Sequence, residues 1–230
     1  MEIGSNFQVG QETVMFFRSN SKFIISDHAS VGNYCHLYFK GSVNIGNHFC
    51  MREYSELRVH GTMKFENWVY LHHHVTIYVP RDTKLICGND VAFSWYSTII
   101  TGSGHSIFDL KHRVKLEKLN SLKERAVILG SHIWIGCNSL ISNEVEIGSG
   151  SIVGAGSVIY SGQYGCNSMI AGNPAKTVTS NITWDRRPLL EYDDFVKCRE
   201  NGEIFIERPS FYDEFSDEGI LDDYYKKEEF

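Results

Sequence analysis

Between Val127 and Tyr160 an aliphatic residue returns at every sixth position: Leu129, Ile135, Ile141, Ile147, Val153 and Ile159. The following positions are Gly130, Gly136, Ser142, Gly148, Gly154 and Tyr160, and two residues before each aliphatic stand Val127, Ile133, Ser139, Val145, Ser151 and Ser157. A period of six fits neither the 3.6 of a helix nor the free alternation of a plain sheet. It is the hexapeptide pattern of a parallel β-helix. Each six-residue step makes one short strand and one corner. The aliphatic points into a narrow interior, and glycine permits the tight corner after it. Three steps close a triangular coil of about 18 residues, and coils stack at the strand spacing of about 4.8 Å. One coil cannot bury its own interior, so several must stack.

Upstream the pattern continues in degenerate form, as Val31-Gly32, Ile45-Gly46 and Cys87-Gly88. Ile45, Cys87 and Ile99 keep the phase of Leu129, each a multiple of six residues away. Residues 47–82 are rich in aromatics and histidine and only loosely periodic, which predicts wider coils with bulky interiors. Residues 103–126 break the repeat with six Lys+Arg against three Asp+Glu and read as a loop thrown out of one coil; long loops in compact domains are usually functional. The repeat runs out at Ile170-Ala-Gly-Asn-Pro-Ala-Lys176. The expected organisation is an all-β domain over 1–180 with its loop inserted at about 103–126. An acidic extension over 181–230 follows, with a short helix at 188–200.

Composition narrows the function classes. No apolar run reaches the 18 or so residues of a membrane helix, and MEIGSNFQVG lacks a basic cluster followed by an apolar core, so a cytoplasmic protein without membrane insertion is expected. The net charge of −6 argues against nucleic acid as the main partner. The charge is uneven: residues 191–230 hold 14 Asp+Glu against 5 Lys+Arg, whereas the first 190 residues carry a small positive excess. The six cysteines form no C-x-x-C pair, which suggests reduced thiols and excludes zinc-finger spacing.

Several residues invite a chemical reading. His105 follows Ser103-Gly104, where backbone can approach a ligand closely, and opens the long loop. It is a surface-loop histidine or a general base. Asp109, four residues on, is a simple loop carboxylate or a group that orients the imidazole. Trp134 lies between inward Ile133 and Ile135, so alternation turns it outward. Its indole N–H can donate to an acyl oxygen. Gly154, Ala155 and Gly156 either turn a corner or leave room for a ligand. His72-His73-His74 would put two imidazoles on one face, which is no complete metal site. Lining an acceptor pocket with Tyr70, Tyr78, Trp68 and Trp95 fits them better. No P-loop and no G-x-G-x-x-G opening a helix is present.

The phased hexapeptides, the His in Gly104-His-Ser-Ile-Phe108 and the closing Ile170-Ala-Gly-Asn-Pro-Ala-Lys176 resemble the hexapeptide-repeat acyltransferases. The following Asn181-Ile-Thr-Trp-Asp-Arg-Arg187 is similar to the bacterial O-acetyltransferases of capsular polysaccharides. The resemblance implies a left-handed parallel β-helix, assembled as a homotrimer with sites between subunits. It implies transfer of acetyl from acetyl-coenzyme A, without a metal, to a hydroxyl of a bacterial surface glycan (capsule or lipopolysaccharide) or its precursor. An antibiotic, amino sugar or amino acid is the alternative acceptor. A non-catalytic scaffold or a gamma-type carbonic anhydrase shares the coil, but the anhydrase's spaced histidines are missing. By the same resemblance His105 is the base, Asp109 its partner, and Trp134 lines the acetyl site. The coenzyme arm would follow Ser103, Gly104, Gly136, Gly154, Ala155, Gly156 and Lys176, with Arg186 and Arg187 near its phosphates.

Overall fold

A computed structural model describes residues 1–102, 108–115 and 125–184. One compact unit spans Met1–Thr183. Its strands stack in three parallel sheets that form the faces of a prism. The first face runs from Glu2–Ile3 through Lys22–Ile25, Ser42–Ile45, Thr62–Phe65, Thr83–Cys87, Arg125–Leu129 and Val145–Ile147 to Gly162–Tyr164. The second runs from Gln8–Val9 through Ser30–Val31, Cys50–Met51, Tyr70–Leu71, Val91–Phe93, Ile133–Ile135 and Ile152–Val153 to Ser168–Gly172. The third runs from Val14–Phe17 through His36–Phe39, Glu56–Val59, Thr76–Val79, Thr98–Ile100 and Leu140–Ser142 to Val158–Ile159. The chain visits the faces in rotation, which makes about eight turns of a left-handed β-helix.

The six-residue period holds where the sequence displays it and relaxes where it does not. Val127 pairs with Val145 eighteen residues on. Ser42 pairs with Thr62 after twenty, and Thr62 with Lys84 after twenty-two. Ile45, Phe65, Cys87 and Leu129 therefore stack in one column. The phase shared by Ile45 and Cys87 is real, but it arises because a twenty-residue coil precedes a twenty-two-residue one. The extra residues widen the triangle, and phenylalanine fills it: Phe23, Phe39, Phe49, Phe65 and Phe93 are all but inaccessible. Burial of each such side chain contributes about 1.5–3 kcal/mol. In the narrow coils isoleucine, valine and serine suffice, and the buried hydroxyls of Ser139, Ser151 and Ser157 bond to backbone carbonyls of Gly154 and Gly165.

Two corners carry columns of their own. Between the first and second faces each backbone N–H finds a side-chain oxygen one coil along. Ser5 donates to Asp27, Asp27 to Asn47, Asn47 to Asn67, Asn67 to Asn89, Asn89 to Ser131 and Ser131 to Ser149. This ladder continues the sheet's hydrogen bonding around a bend that would otherwise leave donors unpaired. The next residue at each of these corners has positive φ, as in His28, His48, Trp68, Asp90 and His132. Asn, Asp and His tolerate that region best, and aromatic rings offset its cost by stacking. His28, His48 and Trp68 form one stack. At the corner between the second and third faces, Tyr34, Tyr54, His74 and Tyr96 form another.

After Gly172 the chain reverses, and Ala175–Ser180 returns antiparallel to Ser168–Gly172, ending the coil. The extruded segment leaves after Thr98–Ile100; its described part is a hairpin of Phe108–Asp109 with Val114–Lys115. Arg125 and Ala126 already belong to a strand. The expected helix at 188–200 and the acidic tail lie outside the described residues. Replacing Asn67 by Ala removes the acceptor for Asn47 N–H and is expected to cost about 1–3 kcal/mol, read as a lower urea midpoint.

Candidate functional site

Trp134 projects from the second face while Ile133 and Ile135 fill the interior. Its indole is 42% exposed, enough for a ligand to reach. The outward column of this face reads Tyr70, Ala92, Trp134, Ile152. Alanine between two aromatics leaves a shallow step on the face. Trp134 Nε1 donates to Ser94 Oγ at 2.9 Å, so the indole leans toward the corner one coil back. There Trp95 is exposed, and His72 packs on it with ring centroids 4.0 Å apart. Tyr70 meets His72 edge-on. Trp134, Ser94, Trp95, His72 and Tyr70 thus form one contiguous polar-aromatic patch.

The expected cofactor-binding residues separate into groups. Gly136 is buried, and a Cβ there would meet the backbone nitrogen of Ala155 at 2.6 Å; coil stacking explains this glycine. Gly156 has φ of 68° with open space above it. Ala155 and Gly156 are exposed. A Cβ on Gly154 would meet Ala171 Cβ at 3.0 Å, and Ala171 pairs in register with the exposed Lys176. Gly154, Ala155, Gly156 and Lys176 therefore share one region, one coil beyond Trp134. Ser103, Gly104, His105, Arg186 and Arg187 lie outside the described residues.

Asp109 is bound locally. Its Oδ1 accepts from the backbone N–H of Lys111 and His112, and its Oδ2 lies 2.6 Å from His112 Nδ1. The side chain and then the backbone of His112 hold its carboxyl below the usual range. Asp109 and His112 thus shape the tip of the hairpin.

The aromatic residues grouped in the sequence disperse in the structure. Trp68 stacks at another corner. Tyr78 belongs to the third face, where it meets His60 edge-on. Burial and then the cations Lys40, Arg81, Arg58 and Arg18 push the His60 imidazole down, which marks this edge as electropositive. Tyr70 and Trp95 do meet His72. Sequence reasoning missed Ser94 and the pairing of Glu53 with His73, 2.9 Å apart; the signal for the second was the spacing of twenty between these corner positions. No group of three His, Cys, Asp or Glu among the described residues is placed to hold a metal ion.

No protein-family model matches the chain. Over 158 residues, 63% of this chain and 74% of the relative, it is 27% identical to the Escherichia coli (strain K12) protein named "Putative lipopolysaccharide biosynthesis O-acetyl transferase WbbJ". Among solved structures it is similar to the polySia-specific acetyltransferase NeuO, with a TM-score of 0.49 and 21% identity, covering 87% of this chain and 95% of that one. It is also similar to the polysialic acid O-acetyltransferase OatWY, with a TM-score of 0.47 and 20% identity, covering 84% and 97%.

Since Asp109 caps its own hairpin, Asp109→Ala is expected to speed amide hydrogen exchange at Lys111 and His112 by roughly 5–10-fold. Unchanged exchange at both amides would show that the carboxylate does not hold the turn.

Proposed function

We propose that the protein is an acetyl-coenzyme A-dependent O-acetyltransferase whose acceptor is a hydroxyl of a bacterial surface glycan or its precursor. The observation that carries this reading is the 158-residue similarity to the Escherichia coli protein named as a lipopolysaccharide O-acetyltransferase. The exposed Trp134–Ser94 pair, beside small corner residues, supports it chemically.

Acyl transfer needs a base, an oxyanion donor and a slot that holds the thioester in line. His105 takes the proton of the acceptor hydroxyl. The oxygen attacks the thioester carbonyl, and the tetrahedral intermediate collapses as coenzyme A leaves as thiolate. The indole N–H of Trp134 is already donated to Ser94 Oγ. That bond turns the hydroxyl so that Ser94 O–H can donate to the developing oxyanion. Trp134 then acts through Ser94 as well as by lining the acetyl site. Gly154, Ala155 and Gly156 give the pantetheine arm room, and Lys176 faces its phosphates. The electropositive edge of Arg18, Lys40, Arg58 and Arg81 favours an anionic acceptor or the coenzyme's phosphates. In this reading the protein works in the cytoplasm as a homotrimer, and the partner subunit completes each site.

Transfer of isotope-labelled acetyl to a panel of bacterial glycans tests the reading. Label on a glycan with wild type, and a loss of 10²-fold or more with His105→Ala, is the expected outcome. Ser94→Ala is expected to lower turnover about 10–100-fold while leaving coenzyme A binding intact. Label appearing only on small amines or drugs would move the acceptor to the small-molecule class.

A further inference from the structure

The Glu53–His73–His72 cluster belongs to no part of the reaction above, yet it touches the aromatic patch. His72 Nδ1 accepts the backbone N–H of His73 at 3.0 Å and lies 2.7 Å from His73 Nδ1. A backbone N–H can only donate. His72 Nδ1 therefore carries the lone pair, and the neutral ring carries its proton on Nε2. His73 in turn must donate from its own Nδ1, and its Nε2 lies 2.9 Å from Glu53 Oε2. That oxygen is buried and lies 3.6 Å from Arg52 Nε as well. The backbone N–H of Glu53, then Arg52 and His73, hold its carboxyl below the usual range against partial burial. A fixed negative charge thus stands behind His73, and His73 stands behind His72.

His72 itself is pushed down, chiefly by burial and then by His73 and Arg52, with Glu53 opposing. The ionisable groups acting on it are Arg52 and Glu53 from the preceding coil and His73 on its own corner, with Tyr70 in ring contact. Among the described residues no hydrogen bond or ion pair engages Nε2, and the ring lies against exposed Trp95. The cluster is therefore a histidine kept neutral, with its N–H outward on an aromatic wall. It cannot serve as a base at Nε2, because that nitrogen already holds the proton. It can donate to an oxygen, as neutral imidazoles do elsewhere.

We propose that His72, locked as the Nε2–H tautomer by His73, is a specificity-determining donor in a pyranose subsite floored by Trp95 and bordered by Tyr70. A pyranose offers an apolar C–H face to an indole and oxygens at its rim to an N–H, and aromatic walls with few fixed polar groups suit such a ligand. Contacts run from His72 through Trp95 and its neighbour Ser94 to Trp134, so a sugar held here reaches toward the acetyl site. The role in transfer rests on the proposed function; the binding does not.

Two measurements test it without an acetyl donor. Side-chain ¹⁵N spectra should show His72 protonated at Nε2 alone and neutral to a lower pH than free imidazole. An Nδ1–H tautomer would overturn the lock. Titration with methyl hexopyranosides, N-acetylated hexosaminides and their oligomers should perturb Trp95 and His72 signals. His72→Ala should weaken binding about 3–10-fold, His72→Gln should recover part of it, and Trp95→Ala should abolish it, all with unchanged urea midpoints. No glycoside binding by wild type, or equal binding by His72→Ala, would overturn the subsite. If glycans are acetylated but His72→Ala leaves the acceptor KM unchanged, the subsite falls and the transfer reading stands. If glycosides bind in a His72-dependent way but accept no acetyl, the subsite stands and the transfer reading falls.

Discussion

Registered stacking of one coil on the next is the interaction on which the molecule depends. No coil has enough interior to bury its own aliphatics, so each strand gains its hydrogen bonds and its hydrophobic neighbours from the same event. The corner ladder from Asp27 to Ser149 extends that register to the bends, where backbone pairing would otherwise lapse. Slippage of one residue would turn the interior column outward. The ladder and the stacked rings oppose this, because both place like positions above like positions. The positive-φ corners, costly for tyrosine and tryptophan, are tolerated where stacking repays them.

That register also builds the patch on the second face. Ser94 is a corner residue of one coil and Trp134 a strand residue of the next; only their offset by a single coil lets the indole reach the hydroxyl. Glu53 and His73 likewise occupy equivalent corner positions, so stacking alone sets carboxylate against imidazole. The chemistry of the patch thus follows from which side chains recur at one position of the repeat. Substitution of an outward corner side chain outside the ladder, such as Ser94 or His73, changes the patch while the inward aliphatics stand on separate residues.

Much of this was legible in the sequence. The strict hexapeptides from Val127 to Ile159 dictated strand, corner and burial, and Trp134 could be turned outward from alternation alone. The wider coils were visible only as bulky, loosely periodic residues, since coils of twenty-two, twenty, twenty and twenty-two residues keep no period of six. The spacing of Asp27, Asn47, Asn67 and Asn89 is the sequence signal of the corner ladder and of both ring stacks. Other features depend on the third dimension. The close approach of the Ala155 backbone to Gly136 is one of them. The hold of His112 on the Asp109 carboxylate likewise has no signal in the sequence. The shared tautomer logic of His72 and His73 needs atomic distances and has no sequence signature.

A crystal structure of the protein with coenzyme A tests the central claim most directly. The account predicts the pantetheine arm along Gly154, Ala155 and Gly156, its sulfur beside Trp134 and Ser94, and His105 about 3–3.5 Å from where an acceptor hydroxyl would attack. Coenzyme A bound elsewhere, with Trp134 and Ser94 remote from the sulfur, would contradict the assignment of this patch as the acetyl-transfer site.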